Sequence, residues 1–277
     1  VIRSIGVSAA VALALAAGGA AAQTDGVLRI GTEGAYPPWN FTSPSGELIG
    51  FEIDLGNALC ERLDVRCEWV AQDWDGMIPA LLQGRYDAIM AGMSINDERR
   101  QRIAFTHGYA TTPAHFVAHV DSPYRELETV EEVIAALDEG APVSAQVATI
   151  HHAFLEQHVP GADLRTYETQ ERLNLDLAAG RVEVGLADSS GWDDFLGSEE
   201  GQSFGNFGPG LTGADFAIFG EGVGIGVRPD DTELLARLNA ALCEMAEDGS
   251  LAALTEEWFG FDASMPCPTM DRAAVAE

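Results

Sequence analysis

Arg99 follows Ser94-Ile95-Asn96-Asp97-Glu98 just past an apolar, strand-like run, where a guanidinium fork suits a carboxylate bidentately and Ser94 adds a hydroxyl donor. The plainer alternative is a solvated arginine, since Arg100 and Arg102 stand beside it. Glu33 and Asp188 also follow strand-like runs, far apart in the chain. Two carboxylates facing one cleft would hold a cationic side chain, best once water is excluded. They could instead form a general acid and base, which needs a separation of roughly 5 to 9 Å. Tyr36 and Trp74 are placed to sandwich an aliphatic stem or a planar cation, or simply to pack in the core. Thr149 opens a helical stretch carrying Ile150, Phe154 and Leu155. The free N–H groups at its start and the positive end of its dipole offer a carboxylate a seat, whether or not Thr149 is also an ordinary cap.

Other chemistry has little support. His151 and His158 are seven apart and share a helix face, but no third metal ligand accompanies them. There is no G-x-S-x-G, no P-loop and no dinucleotide fingerprint, so neither nucleophilic catalysis nor a cofactor is expected.

The elements that must position these residues alternate short apolar runs with 3.6-period segments, the pattern of an α/β protein with mostly parallel strands. Val27 to Gly31, Glu68 to Ala71 and Tyr86 to Met90 read as strands, Asp54 to Leu63 and Asp75 to Gln83 as helices. Leu81-Leu82-Gln83-Gly84-Arg85-Tyr86-Asp87 recurs in form as Leu177-Ala178-Ala179-Gly180-Arg181-Val182-Glu183. In both, a helix ends at a glycine suited to the left-handed cap and a strand follows. Val27 to Thr32 and Val143 to Thr149 precede these as strands that run through a loop into a helix. Two similar α/β lobes explain the echo. Ligands of such sheets bind beyond the carboxyl ends of the strands, here Thr32 to Tyr36, Ala91 to Ser94, Gln146 to His151 and Ala187 to Ser190. The site is therefore expected between the lobes. The glycine-rich stretch Phe204 to Gly226 reads as a crossing back that enters a strand at Gly222 to Val227, rather than a slack loop. The expected division is 23–111 and 216–264 for the first lobe, 112–215 for the second and 265–277 for a tail.

The chain has 277 residues, a mean hydropathy of +0.02 and a formal charge of -29, with all fifteen basic residues arginine. Enough is apolar for two cores, and the acidic excess argues against nucleic acid and anionic lipid as partners. Residues 1–22 combine Arg3, the apolar run Val7 to Ala17 and an Ala20-Ala21-Ala22 exit, the composition of a cleaved secretory signal. In an exported chain four cysteines favour two disulfides. Cys60 and Cys67 are near neighbours, and Cys243 with Cys267 would pin the tail to the last long helix.

Several motifs in order, Gly31-Thr32-Glu33-Gly34-Ala35-Tyr36-Pro37-Pro38-Trp39, Gly50-Phe51-Glu52-Ile53-Asp54-Leu55, Gly84-Arg85-Tyr86-Asp87-Ala88-Ile89, Ser94-Ile95 through Arg99, and Asp248-Gly249-Ser250 before Trp258-Phe259, resemble those of the periplasmic polar amino acid-binding proteins of ABC importers. The resemblance spans residues 27 to 263 and is nearest to the lysine/arginine/ornithine, histidine and opine binders. It implies a type II periplasmic-binding-protein fold, two α/β lobes joined by a two-segment hinge, in a monomer that closes over one small ligand and docks on inner-membrane permease subunits. It also implies that Arg99, with the backbone at Thr149 and Ile150, takes an α-carboxylate and Asp188 the α-ammonium. Tyr36 and Trp74 would stack on the side chain, and Glu33 would meet a distal cation. Cys60 and Cys67 match a disulfide of that family. Ala91 and Gly92 stand where the basic amino acid binders carry two serines, and Ala148-Thr149-Ile150 replaces a Gly-Thr-Thr turn. The small residues, Glu33 in place of aspartate, and Trp74 are similar to the opine branch. A basic amino acid is the expected ligand and an opine the alternative. A cyclohexadienyl dehydratase-like enzyme and a sensory ligand module are further readings on the same architecture.

Overall fold

The computed structural model describes residues 26–268. The expected signal segment lies outside the described residues, as does the end of the tail.

Two five-stranded sheets repeat one plan. In the first, the order is Arg66–Ala71, Val27–Thr32, Ala88–Ile89, Gly226–Val227, Ala104–Phe105. In the second it is Asp163–Tyr167, Pro142–Gln146, Val184–Asp188, Ala114–His119, Phe204–Leu211. The first three strands of each sheet are parallel and the fourth runs against them. The internal echo in the sequence is thus a repeat of topology. Gly84 at φ 74° and Gly180 at φ 66° end the corresponding helices in the left-handed region. After each, the next N–H reaches back into the last turn, from Arg85 to the Ala80 carbonyl at 3.0 Å and from Arg181 to that of Asp176 at 2.9 Å. That turn aims each following strand at the cleft.

The helix Phe51–Arg62 buries Phe51, Leu55, Leu59 and Cys60 in one core with the first sheet and packs on Ser250–Phe259. Disulfides join Cys60 to Cys67, with Cα atoms 5.8 Å apart, and Cys243 to Cys267, 4.9 Å apart. The second core gathers around Phe116, Phe154 and Phe207.

Three expectations need correction. The helix expected from Asp75 begins as a 3-10 turn, Trp74–Gly76, and becomes α-helical only over Met77–Leu82. This puts Pro79 in the first α-turn, where its missing N–H has no partner to lose. The strand expected over Gly222 to Val227 pairs fully only at Gly226–Val227, with two isolated bridges at Val223, to Ser94 and Ala110. Finally, the glycine-rich stretch is not all crossing. Phe204–Leu211 is the edge strand of the second sheet, and Phe216 and Phe219 pack on Phe154, with ring centroids 5.0 and 5.1 Å away. The chain therefore stays with the second lobe to Phe219, past the boundary expected at 215. It leaves at Gly220, whose φ of 78° and whose approach to the Ile95 carbonyl, 2.2 Å from where a Cβ would lie, admit only glycine.

The two crossings lie side by side. Val223 N–H donates to the Ala110 carbonyl at 2.8 Å, and Thr111 N–H to that of Ala263 at 3.0 Å. Ala110 also bridges Ser264 and the Met265 N–H donates to the Tyr109 carbonyl at 3.0 Å, so the start of the tail braces the hinge. No helix among the described residues is long and apolar enough to cross a membrane.

With a charge of -29 carried by a fold of this size, mutual repulsion among acids opposes the folded state at low ionic strength. Raising NaCl from 10 mM to 1 M shortens the screening length from about 30 to about 3 Å. The melting temperature is expected to climb by roughly 5 °C across that range in differential scanning calorimetry.

Candidate functional site

One cavity between the lobes is bordered by all ten residues singled out as ligand contacts. From the first sheet come Glu33 and Tyr36 beyond Val27–Thr32, Trp74 beyond Arg66–Ala71, and Ala91, Gly92 and Ser94 beyond Ala88–Ile89. Arg99 enters from the short helix Asp97–Arg100, which Asn96 caps by accepting from the Arg99 N–H. The second sheet supplies Asp188 at the end of Val184–Asp188, with Thr149 and Ile150 at the start of the helix Ile150–His158. Thr149 is the cap of that helix, its hydroxyl accepting from the His152 N–H.

Three further residues line the cavity: Gln146, His151 and Gln170. Gln146 and His151 bound the segment already marked as a strand end, and Gln170 begins the helix after Asp163–Tyr167. Applying the carboxyl-end rule to that strand too would have found it. His158, by contrast, packs on Phe154 and Phe216, away from the cavity.

Buried charge dominates the site. Arg99 is 8% exposed, and its Nη1 donates to the Ser94 carbonyl at 2.9 Å. It makes no ion pair among the described residues, while its guanidinium lies 5.2 Å from the Trp74 ring centroid. Burial pulls its pKa down to about 10, against the opposing pull of Glu98 and Asp188, so it remains cationic at neutral pH. It is a desolvated cation with donors to spare. Burial likewise pushes Glu33 up to about 7, a rise that the hydrogen bond from Gln146 only partly offsets.

Hydrogen bonds join the lobes across the cavity. Gln146 Nε2 donates to Glu33 at 2.6 Å, the Tyr36 hydroxyl to Asp188 Oδ2 at 2.8 Å and Trp39 Nε1 to Ser190 at 2.8 Å. Tyr36 thus holds a carboxylate of the opposite lobe as well as walling the cavity. The lobes are closed on one another, and Gly191 permits it: a Cβ there would sit 2.5 Å from the Tyr36 hydroxyl oxygen.

Behind the first-lobe loops, Glu52 is fully buried and accepts from the Tyr109 hydroxyl, the Gly92 N–H and Asn40 Nδ2. Asn40 in turn accepts from the Gly34 N–H at 2.8 Å. One carboxylate therefore fixes both ligand-facing loops of the first lobe and ties them to Tyr109 beside the hinge.

Two α/β lobes with a polar, charge-lined cavity between their strand ends define a binding protein that encloses a small polar solute. Residues 28–261 match the bacterial extracellular solute-binding proteins, family 3, and the chain belongs to that family with its type II periplasmic-binding fold. It is 39% identical to the L-arginine-binding protein of Pseudomonas aeruginosa over 243 residues, 86% of this chain and 90% of that protein. It is 34% identical to the octopine-binding periplasmic protein of Rhizobium meliloti over 91% of this chain and 96% of the relative. Among solved structures, a periplasmic His/Glu/Gln/Arg/opine family-binding protein from Silicibacter pomeroyi in complex with lysine superposes with a TM-score of 0.73 at 38% identity, covering 86% of this chain and 99% of that one.

Two outcomes test this geometry. Gly191→Ala is expected to hold the lobes apart, weakening ligand binding at least tenfold while the far-ultraviolet circular dichroism and melting temperature of the free protein stay unchanged. The second concerns Glu33, whose pKa in the closed protein is raised, so that its neutral form is favoured there and closure grows less favourable as pH rises through about 7. A cationic ligand group set against Glu33 reverses the preference and expels the proton. To the extent that the ligand-free protein is closed, calorimetry in buffers of differing ionisation enthalpy should show proton release between about pH 4.5 and 7, with affinity for the closed form rising by at most about tenfold per pH unit and levelling off above. Glu33→Gln should abolish the release.

Proposed function

We propose that this chain is the periplasmic receptor of an ABC importer, acting as a monomer that captures a basic amino acid by lobe closure and delivers it to membrane permease subunits. The observation that carries the reading is the division of charge around the cavity: a buried guanidinium on one lobe, a carboxylate facing it from the other, and a second carboxylate, Glu33, at the cavity wall. Arg99 and the N–H groups at the start of the Ile150–His158 helix take the ligand carboxylate. Asp188 takes the α-ammonium, Trp74 and Tyr36 flank the stem, and Glu33 with Gln146 meets the cationic tail. The receptor names of the relatives support the same class. Because ligand contacts come from both lobes, binding and closure are one equilibrium, and closure composes the surface that a permease reads. No bond needs to be made or broken, so the protein works without turnover.

An opine is the second reading, favoured by one observation. A wider cavity of about 290 Å³ adjoins the first, sharing Trp74, Arg99 and Thr149 and adding Arg102 and His152, which leaves room for a second carboxylate-bearing arm.

A thermal-shift panel of amino acids and opines on the mature protein tests both. Arginine or lysine at a hundred times its dissociation constant should stabilise by about 2.7 kcal/mol, raising the melting temperature by roughly 5 to 10 °C. Arg99→Ala should remove the shift. A full shift in that variant rejects the carboxylate clamp, and a shift with opines alone selects the second reading.

A further inference from the structure

His151 lies in the first turn of the helix Ile150–His158, is 5% exposed and lines the cavity. Its Nε2 is buried and has no hydrogen-bond partner, although it stands 3.4 Å from Asp188 Oδ1. The other oxygen of Asp188 is held by the Tyr36 hydroxyl at 2.8 Å. Packing of the ring near Phe219, with centroids 6.2 Å apart, sets its plane. The wall opposite the carboxylate clamp thus presents a buried imidazole nitrogen without a partner and, beside it, a carboxylate oxygen of the partly buried Asp188. Leaving such polar atoms unbonded is costly. A group with several N–H bonds, placed about 2.8 Å from both, satisfies both with only modestly bent bonds.

We propose that His151 is a specificity-determining residue that shares the ligand's α-ammonium with Asp188, accepting at Nε2. The inference deepens the amino acid reading above and rests on it. Asp188 alone would attract any cation, whereas the pair selects a free amino group that can donate in two directions at once. Neither the histidine count nor its spacing in the sequence marks this residue.

The test is a cycle between residue and ligand. Dissociation constants for arginine and for 5-guanidinopentanoic acid, which keeps the carboxylate and guanidinium but lacks the α-ammonium, are measured by calorimetry at pH 8 on wild type, His151→Phe and His151→Gln. In His151→Phe, arginine should bind roughly ten- to a hundredfold more weakly, with the deamino ligand unchanged. His151→Gln, whose amide oxygen can accept, should recover much of the loss, and thermal unfolding confirms that each variant is folded. Equal weakening of both ligands in the two variants would overturn the proposal, reducing His151 to a wall of the cavity; so would undiminished arginine affinity in His151→Phe. If wild type binds no amino acid at all, the receptor reading fails and takes this inference with it. If arginine binds and Arg99→Ala abolishes it while the cycle shows no coupling, the inference alone fails.

Discussion

Two opposite charges, the buried Arg99 and the partly buried Asp188, face one cavity from separate sheets without being paired to each other. Taking a charge from water costs several kcal/mol that a direct ion pair would partly recover. The fold instead gives each a lesser partner, the Ser94 carbonyl for one and the Tyr36 hydroxyl for the other. What remains is a dipolar cavity whose ends are 89 positions apart in the chain and meet only when the lobes close. A zwitterion complements it, because its own two charges are similarly separated. The rest of the molecule serves to keep those charges apart and to bring them together on demand.

The supporting structure divides that labour. Glu52 locks the Gly34 and Gly92 loops into one rigid wall and continues through Tyr109 to the hinge. Asp87, bridged by Arg29 at 2.9 Å and Arg228 at 3.2 Å, fastens the returning segment to the inner strands of the same sheet. The first lobe therefore moves as a body. The hinge itself is two backbone crossings and a tail, with glycine at Gly220 where backbone meets backbone. Gly191 has the corresponding role at the far end of the motion, where the Tyr36 ring comes to rest.

Much of this was legible beforehand, and for a physical reason. Helix caps at Gly84, Gly180 and Thr149 and the pairing of Cys60 with Cys67 depend on residues within a few positions of one another, and local rules read them. The rule that ligands lie beyond parallel strand ends then gathered Glu33, Asp188 and the Ala91–Ser94 turn without further information. The errors fall where distant contacts decide. Phe216 and Phe219 belong to the second lobe because Phe154 is there to receive them, and Phe204–Leu211 is a strand because Ala114–His119 offers it an edge. A glycine-rich composition says nothing of either.

Sequence alone determined the two-lobed α/β plan, the family and the residue types facing the cleft, since periodicity, turn chemistry and motif order are properties of short segments. Only the tertiary structure decided which partners those residues take. Tyr36 turns out to clasp Asp188 152 positions away, Gln146 to clasp Glu33, and His151 to stand unbonded beside the same aspartate. Such contacts cross between lobes, and their geometry exists only once both cores have packed and the hinge has brought their strand ends face to face.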